Sequence, residues 1–283
     1  MRVLAMLDGT LADPDQPHIR VDDLGLMRGD GIFETILVTD GRPRELEPHL
    51  HRLARSARML DLPAPDLAAW RHCVQVTLDN WTSGTELAVK LVYTRGIDGG
   101  DGTPTAFALA MPISATVLRQ RTDGVAAVIL DRGIDTGLAE RAPWLLLGAK
   151  SVSYAINMAA IREAERRGAD EVIFTATDGS VLEGPTSSVV TVHGRTLRTP
   201  PTQLGILPGT TQGALFRAAE RSDWQVKVEP LRVEDLRSAD AVLLASSVRK
   251  ITRVHTLDGQ PLPDSTEAHH QLSALYESEY ESV

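Results

Sequence analysis

The sequence predicts an α+β protein of two domains. Its 283 residues suffice for one large or two medium-sized domains, and 42% hydrophobic with 24% charged residues is the composition of a globular chain with a sizeable core. Asp-Gly turns at residues 40–41 and 178–179 indicate hairpins in a chain that also carries amphipathic helices. We expect an N-terminal α+β domain at residues 1–112, a linker at 113–121 and a C-terminal domain at 122–283.

The N-terminal half alternates strand and helix patterns. Apolar runs of four to eight residues predict strands, and apolar residues at helical spacing predict helices. The predicted strands are residues 2–7, Ile32–Val38, Glu86–Tyr93 and Thr105–Met111, and the predicted helices are Glu47–Leu60 and residues 66–80. The glycine-rich loop at 96–102 is not a dinucleotide-binding motif, because it lacks the required spacing and no helix follows it.

Charge and cysteine content exclude several classes of protein. A net charge of −9 argues against a dedicated nucleic-acid surface, which would need a basic face. The single cysteine, Cys73, excludes a disulfide within the chain and is interpreted as a packing residue. No stretch approaches the ~20 apolar residues of a membrane span, and the N-terminus lacks a signal-peptide pattern. We therefore expect a cytoplasmic protein with no nucleic-acid or membrane partner, and we predict no metal site.

Lys150 is the first candidate for chemistry. It follows the apolar run Trp144–Leu147 and precedes apolar residues at helical spacing, so it is predicted to open an amphipathic helix. Apolar surroundings disfavour the ammonium form, and a neutral amine can form a Schiff base with a carbonyl. The alternative is a solvated surface lysine.

Glu183 is the second candidate. It is predicted to lie within the second strand of the hairpin that begins with the strand Glu171–Ala176, where the pattern requires a core residue. A buried carboxylate needs a partner, and the protonated pyridine nitrogen of pyridoxal phosphate would be one. The alternative is an exposed strand residue.

The loop at residues 205–209 is the third candidate. Thr210 and Thr211 follow it and are predicted to open a helix, whose free N–H groups bind phosphate well. The alternative for Thr210 is an ordinary helix cap. Further predicted elements of this half are the strands Gly124–Asp131 and Ala239–Ala245 and the helix Ser265–Glu279.

Together, five motifs resemble the class IV (fold-type IV) aminotransferases, which include branched-chain and D-amino acid aminotransferases and 4-amino-4-deoxychorismate lyases. These motifs are GDGIFE, HLHRL, GAKSVSY, DGSVLEGPTSS and GILPGTT, and the resemblance covers nearly the whole chain. It implies the two-domain α+β fold of D-amino acid aminotransferase, with pyridoxal 5'-phosphate between the domains, and a homodimer.

The resemblance also implies roles for individual residues. Lys150 would hold the cofactor and act as general acid and base, Glu183 would hold the pyridine nitrogen, and Tyr154 would contact the phenolic oxygen of the ring. The phosphate would be bound by Arg52, Thr210, Thr211 and Ser247.

The substrate side is open to two interpretations. Phe33 is expected to line it, and Arg28 and Arg95 are candidate ligands for a substrate carboxylate. The alternative for Arg28 is a structural substitution at a position that often holds an aromatic residue in the family. The segment TRG followed by Gly99-Gly100, without the R-x-H pair of D-amino acid aminotransferases, favours a lyase that gives 4-aminobenzoate and pyruvate for folate biosynthesis. The alternative is a D-amino acid or branched-chain aminotransferase of the same fold, or both activities; Asp101 stands where the lyases often carry arginine.

Overall fold

The computed structural model describes residues 1–281 and divides the chain into two compact units. The first comprises Met1–Ser114 and Ala149–Tyr154, and the second comprises the rest of the chain. The segment 149–154, expected in the second domain, clusters with the first unit because its backbone pairs with a strand there. Residues 115–123, within which most of the expected linker falls, form a helix. The domain limits 1–112, 113–121 and 122–283 stay a prediction.

The first unit is built on a six-stranded antiparallel sheet. The strands are β1 Val3–Met6, β2 Leu11–Ala12, β3 Gly31–Thr39, β4 Arg42–Pro43, β5 Glu86–Thr94 and β6 Ala106–Met111, in the order β2-β1-β6-β5-β3-β4. The helices are α1 Leu24–Arg28, α2 Leu46–Met59 and α3 Leu67–Asp79. One face of α2 is buried at Leu50, Leu53 and Ala57, so its amphipathic pattern places that helix against the core.

The second unit is built on an eight-stranded mixed sheet. The strands are β7 Val125–Asp131, β8 Glu171–Thr175, β9 Ser188–His193, β10 Thr196–Thr199, β11 Gln225–Val228, β12 Ala241–Ser246, β13 Lys250–Leu257 and β14 Gln260–Pro261. The helices are α4 Ala115–Asp123, α5 Leu138–Arg141, α6 Ala155–Arg166, α7 Thr210–Glu220, α8 Val233–Ser238 and α9 Thr266–Glu281. β7 lies between β13 and β8 and is parallel to both, so its backbone is paired along both edges.

The predicted strands and helices are confirmed to within a few residues, with two exceptions. Lys150 does not open a helix, because α6 begins at Ala155 and residues 150–152 run alongside β3 instead. Glu183 does not lie within a regular strand, because β9 begins at Ser188. Its segment nevertheless pairs with β8: the Phe174 N–H donates to the Glu183 carbonyl at 2.9 Å. In both places the backbone pairs with a distant segment of the chain, and this pairing, not the local sequence pattern, decides the structure.

Within residues 1–281, no helix combines the length and the apolar character needed to span a membrane. Over the same range, no group of three or more His, Cys, Asp or Glu side chains is arranged to hold a metal ion.

Candidate active site

Lys150 is fixed by backbone hydrogen bonds on both sides of its Cα. Its N–H donates to the Ser56 Oγ at 3.1 Å, and its carbonyl accepts from the Phe33 N–H at 3.0 Å. Ser56 lies on α2 and is completely buried. The position of the lysine therefore depends on two rigid elements, β3 and α2, and not on the loop that carries it.

The Lys150 amine lies against two aromatic rings. Its Nζ is 4.5 Å from the centre of the Phe33 ring and 5.9 Å from that of Tyr154, and the two rings pack edge to face at 5.2 Å. Tyr154 is not one helical turn from Lys150, since α6 begins after it, yet the tertiary structure brings its ring to the amine. An amine packed against aromatic rings is partly shielded from water, which suits it to attack a carbonyl.

Beneath this group lies a buried cluster of Glu34, His49 and Arg52. Arg52 donates to the Glu34 carboxylate with Nε at 2.8 Å and Nη2 at 2.7 Å, and the His49 Nδ1 donates to it at 2.7 Å. The Glu34 side chain is completely buried and that of Arg52 is 8% exposed. Glu34 thereby fixes the orientation of the arginine that the sequence assigns to a phosphate.

Burial and charge set the protonation of this cluster. Burial by itself would raise the pKa of Glu34, but the charge and hydrogen bonds of Arg52 outweigh it and hold that pKa well below its usual range. Burial lowers the pKa of His49, although Glu34 opposes the shift. The cluster therefore consists of an ionised carboxylate, a guanidinium and a neutral imidazole.

The sequence did not identify Glu34 and His49 as functional residues, although Glu34 ends the motif GDGIFE and His49 begins the motif HLHRL. A usable signal existed: His49, Arg52 and Ser56 follow each other at helical spacing and so share one face of α2. Glu34 is a charged residue within an otherwise apolar strand.

Glu183 belongs to the second unit and is paired. Its Oε1 accepts from the Arg132 Nη1 at 3.2 Å, and its Oε2 accepts from the Leu207 N–H at 3.0 Å. The side chain is 13% exposed, so the glutamate is not a solvated strand residue. Sequence reasoning missed Arg132, because the residue is 51 positions from Glu183 and stands in no quoted motif.

The predicted phosphate-binding helix is present as α7. It begins at Thr210, and both Thr210 and Thr211 are buried. Gly209 caps the helix without a side chain, and a Cβ there would collide with the Ser188 hydroxyl, so only glycine fits this close approach. The first N–H groups of α7 are therefore not capped by the residue before them.

Ser247 lies in the turn between β12 and β13 and is half-buried. The turn is anchored by its neighbours: Arg249 forms a buried ion pair with Glu171, and Arg121 donates to the Val248 carbonyl. These contacts hold the two residues that directly follow Ser247.

The three residues predicted on the substrate side occupy different environments. Phe33 contacts the Lys150 amine, as described. Arg28 is exposed at the end of α1. Arg95 donates to the Asp30 carboxylate at 2.6 Å and to the carbonyls of Leu60 and Asp61 at 2.6 and 3.1 Å. These contacts favour a role for Arg95 in holding its loop against the end of α2.

The predicted site residues fall into two sets. The first unit brings together Lys150, Phe33, Tyr154 and, through the shared helix α2, Arg52. The second unit carries Glu183, Thr210, Thr211 and Ser247.

Comparison with known proteins identifies the family. Residues 31–257 match the model of the amino-transferase class IV family. The chain is 46% identical over 270 residues to a bifunctional aminodeoxychorismate lyase / D-amino acid transaminase of Mycobacterium tuberculosis, covering 92% of this chain and 93% of the relative.

Comparison with solved structures points to the same family. A hypothetical aminotransferase from Mycobacterium tuberculosis in its PLP-bound form matches with a TM-score of 0.96, 44% identity and 99% of each chain covered. A fold IV transaminase from Curtobacterium pusillum matches with a TM-score of 0.93 and 43% identity, covering 98% of this chain and 99% of that one. The α+β, fold-type IV prediction is confirmed, and the chain belongs to the class IV aminotransferase family.

Proposed function

We propose that this chain is a pyridoxal phosphate-dependent 4-amino-4-deoxychorismate lyase that also transaminates D-amino acids. Membership of the class IV aminotransferases makes it an enzyme of the pyridoxal phosphate-dependent kind, as the sequence predicted. The choice of reaction is supported by the relative from Mycobacterium tuberculosis, which carries both activities in its name and shares 46% of aligned residues. The observation that carries the proposal is the Lys150 amine, held by β3 and α2 with its Nζ 4.5 Å from the Phe33 ring centre.

The residues present fit the chemical demands of this cofactor. Its aldehyde requires an amine, which is Lys150; its pyridine nitrogen requires a carboxylate shielded from water, which is Glu183. Its phosphate requires N–H groups, hydroxyls and a guanidinium. These would come from the start of α7 at Thr210 and Thr211, from Ser247 and from Arg52, and Gly209 leaves the start of α7 without a side-chain cap.

When bound, pyridoxal phosphate supplies an electron sink for the carbon next to the substrate's amino group. The Lys150 amine removes the proton from that carbon, and Phe33 and Tyr154 limit the positions the amine can take. Glu183 would hold a proton at the pyridine nitrogen. In the lyase reaction, aromatisation of the substrate ring would drive the departure of enolpyruvate, which takes up a proton to become pyruvate. In transamination, Lys150 would deliver the same proton to the cofactor, which would keep the amino group while the substrate is released as an oxo acid.

We further propose a homodimer in the cytoplasm. Leu26 and Met27 are adjacent apolar residues on α1, 65% and 66% exposed, and a second copy of the chain would cover them. Light scattering of the purified protein, with Leu26→Glu as the disrupting variant, tests this part.

The activity test combines absorbance with two assays. Purified protein supplied with cofactor is expected to show its visible absorbance band and to lose that band in Lys150→Ala. Lys90→Ala is the matched control, because the Lys90 Nζ also lies near the Phe33 ring, 5.1 Å from its centre. Aminodeoxychorismate should yield 4-aminobenzoate, and D-alanine with 2-oxoglutarate should yield glutamate. Glutamate without 4-aminobenzoate contradicts the lyase proposal, and a band unchanged by Lys150→Ala contradicts the enzyme proposal.

A further inference from the structure

Arg132 shares the carboxylate of Glu183 and is held in place by the second unit. Its N–H donates to the Thr175 carbonyl at 2.9 Å, which continues the pairing of β7 with β8. Its guanidinium lies 5.4 Å from the centre of the Phe174 ring and donates to Glu183 at 3.2 Å. The arginine side chain is 18% exposed and the glutamate side chain 13%, so water screens the pair only weakly.

Two contacts of the Glu183 carboxylate favour its ionised form. Oε1 accepts from the guanidinium and Oε2 accepts from the Leu207 N–H, whereas the Phe174 ring beside Arg132 carries no charge. A protonated carboxyl would lose one of these two hydrogen bonds and the attraction of the arginine. An opposite charge at this distance typically favours the ionised carboxyl about tenfold to a thousandfold.

We propose that Arg132 is a positioning residue that keeps Glu183 ionised, so that the proton shared between Glu183 and the cofactor resides on the pyridine nitrogen. The inference rests on the proposed function, in which Glu183 faces that nitrogen. The Arg132 guanidinium is hydrogen-bonded to the Glu183 carboxylate and not to the pyridine ring. Its attraction for the carboxylate therefore outweighs its repulsion of the protonated ring. A protonated ring is the stronger electron sink, and Arg132 thereby sustains the step in which Lys150 removes a proton.

The location of the proton can be measured directly by nitrogen NMR of holoenzyme loaded with cofactor labelled at the pyridine nitrogen. Wild type is expected to give a pyridinium signal. Arg132→Met and Arg132→Gln both remove the charge, and Arg132→Gln keeps a donor and similar bulk, so at least one should retain the fold. In both variants, the proton's preference for nitrogen over carboxylate should fall about tenfold or more, moving the signal toward neutral pyridine.

Two controls separate charge from structure. Arg132→Lys keeps the charge and should restore the pyridinium signal. Arg195→Met removes an exposed arginine of the same unit whose guanidinium lies 4.8 Å from the Trp224 ring centre, and it should leave the signal unchanged.

The outcomes distinguish this inference from the function on which it rests. A signal that moves in Glu183→Gln but stays pyridinium in Arg132→Met and Arg132→Gln overturns the inference and leaves the role of Glu183 intact. A signal that Glu183→Gln does not move shows that Glu183 does not face the nitrogen, which overturns both. The inference is supported if the nitrogen signal moves in Arg132→Met, Arg132→Gln and Glu183→Gln and stays that of a pyridinium in Arg132→Lys.

Discussion

Replacing Glu34 by glutamine removes the negative charge at the centre of the buried cluster in the first unit. Wild-type Glu34 accepts three hydrogen bonds of 2.7–2.8 Å, two from Arg52 and one from His49, and its side chain is completely buried. A glutamine keeps one carbonyl acceptor but places an NH₂ group against donors. The guanidinium of Arg52, 8% exposed, loses the carboxylate with which it forms a buried ion pair.

The expected cost follows from that geometry. Removing one partner of a buried ion pair typically lowers the free energy of unfolding by about 3–5 kcal/mol, because the remaining charge stays desolvated. This is a large share of the ~5–15 kcal/mol that stabilises a typical domain. Arg52 would also lose its fixed orientation, so the affinity for pyridoxal phosphate should fall.

Urea unfolding of the apoprotein at neutral pH measures the stability change, and titration with cofactor measures the affinity. The matched control is Glu47→Gln on the same helix, where the glutamate pairs with Arg71 at 2.6 Å but both side chains are more than 40% exposed. Water screens that pair, so its loss should change stability little. The double variant Glu34→Gln/Arg52→Met should recover part of the loss, because the buried guanidinium is removed together with the carboxylate.

Two results would contradict this prediction: Glu34→Gln destabilises the protein no more than Glu47→Gln does, or adding Arg52→Met deepens the loss of stability. Either result would mean that the buried guanidinium does not depend on Glu34.

Three further predictions concern other buried groups. Ser56→Ala leaves the Lys150 N–H without its acceptor and should lower the free energy of unfolding by about 1–3 kcal/mol in urea titrations, and an unchanged midpoint would contradict this. Because the pKa of His49 is lowered by burial and that of Glu34 by Arg52, the unfolded chain takes up protons first as pH falls. Stability should therefore decline below about pH 6.5 and further below about pH 4.3, and His49→Gln should make the upper part of the decline smaller. Burial raises the pKa of the Cys73 thiol to about 11, so a thiol reagent should label this residue in urea but not in the native protein.

Much of the architecture was predictable because strands and helices each have a characteristic local spacing of apolar residues. The apolar run Ile32–Val38 and the helical spacing in Glu47–Leu60 match β3 and α2 closely. The helix predicted to begin at Lys150 was wrong for a physical reason: the N–H and carbonyl groups of residues 150–152 are satisfied by Ser56 and by β3, which a local pattern cannot anticipate.

The sequence by itself determined the family and the chemical groups of the candidate site, because the motifs around Lys150, Glu183 and Thr210 are short and linear. Only the tertiary structure revealed the partners of those groups: Ser56 lies 94 residues from Lys150, Arg132 lies 51 from Glu183, and Glu34 lies 18 from Arg52 on a different element. A buried charge or N–H must find its partner wherever the packed chain brings one, and that location depends on the fold.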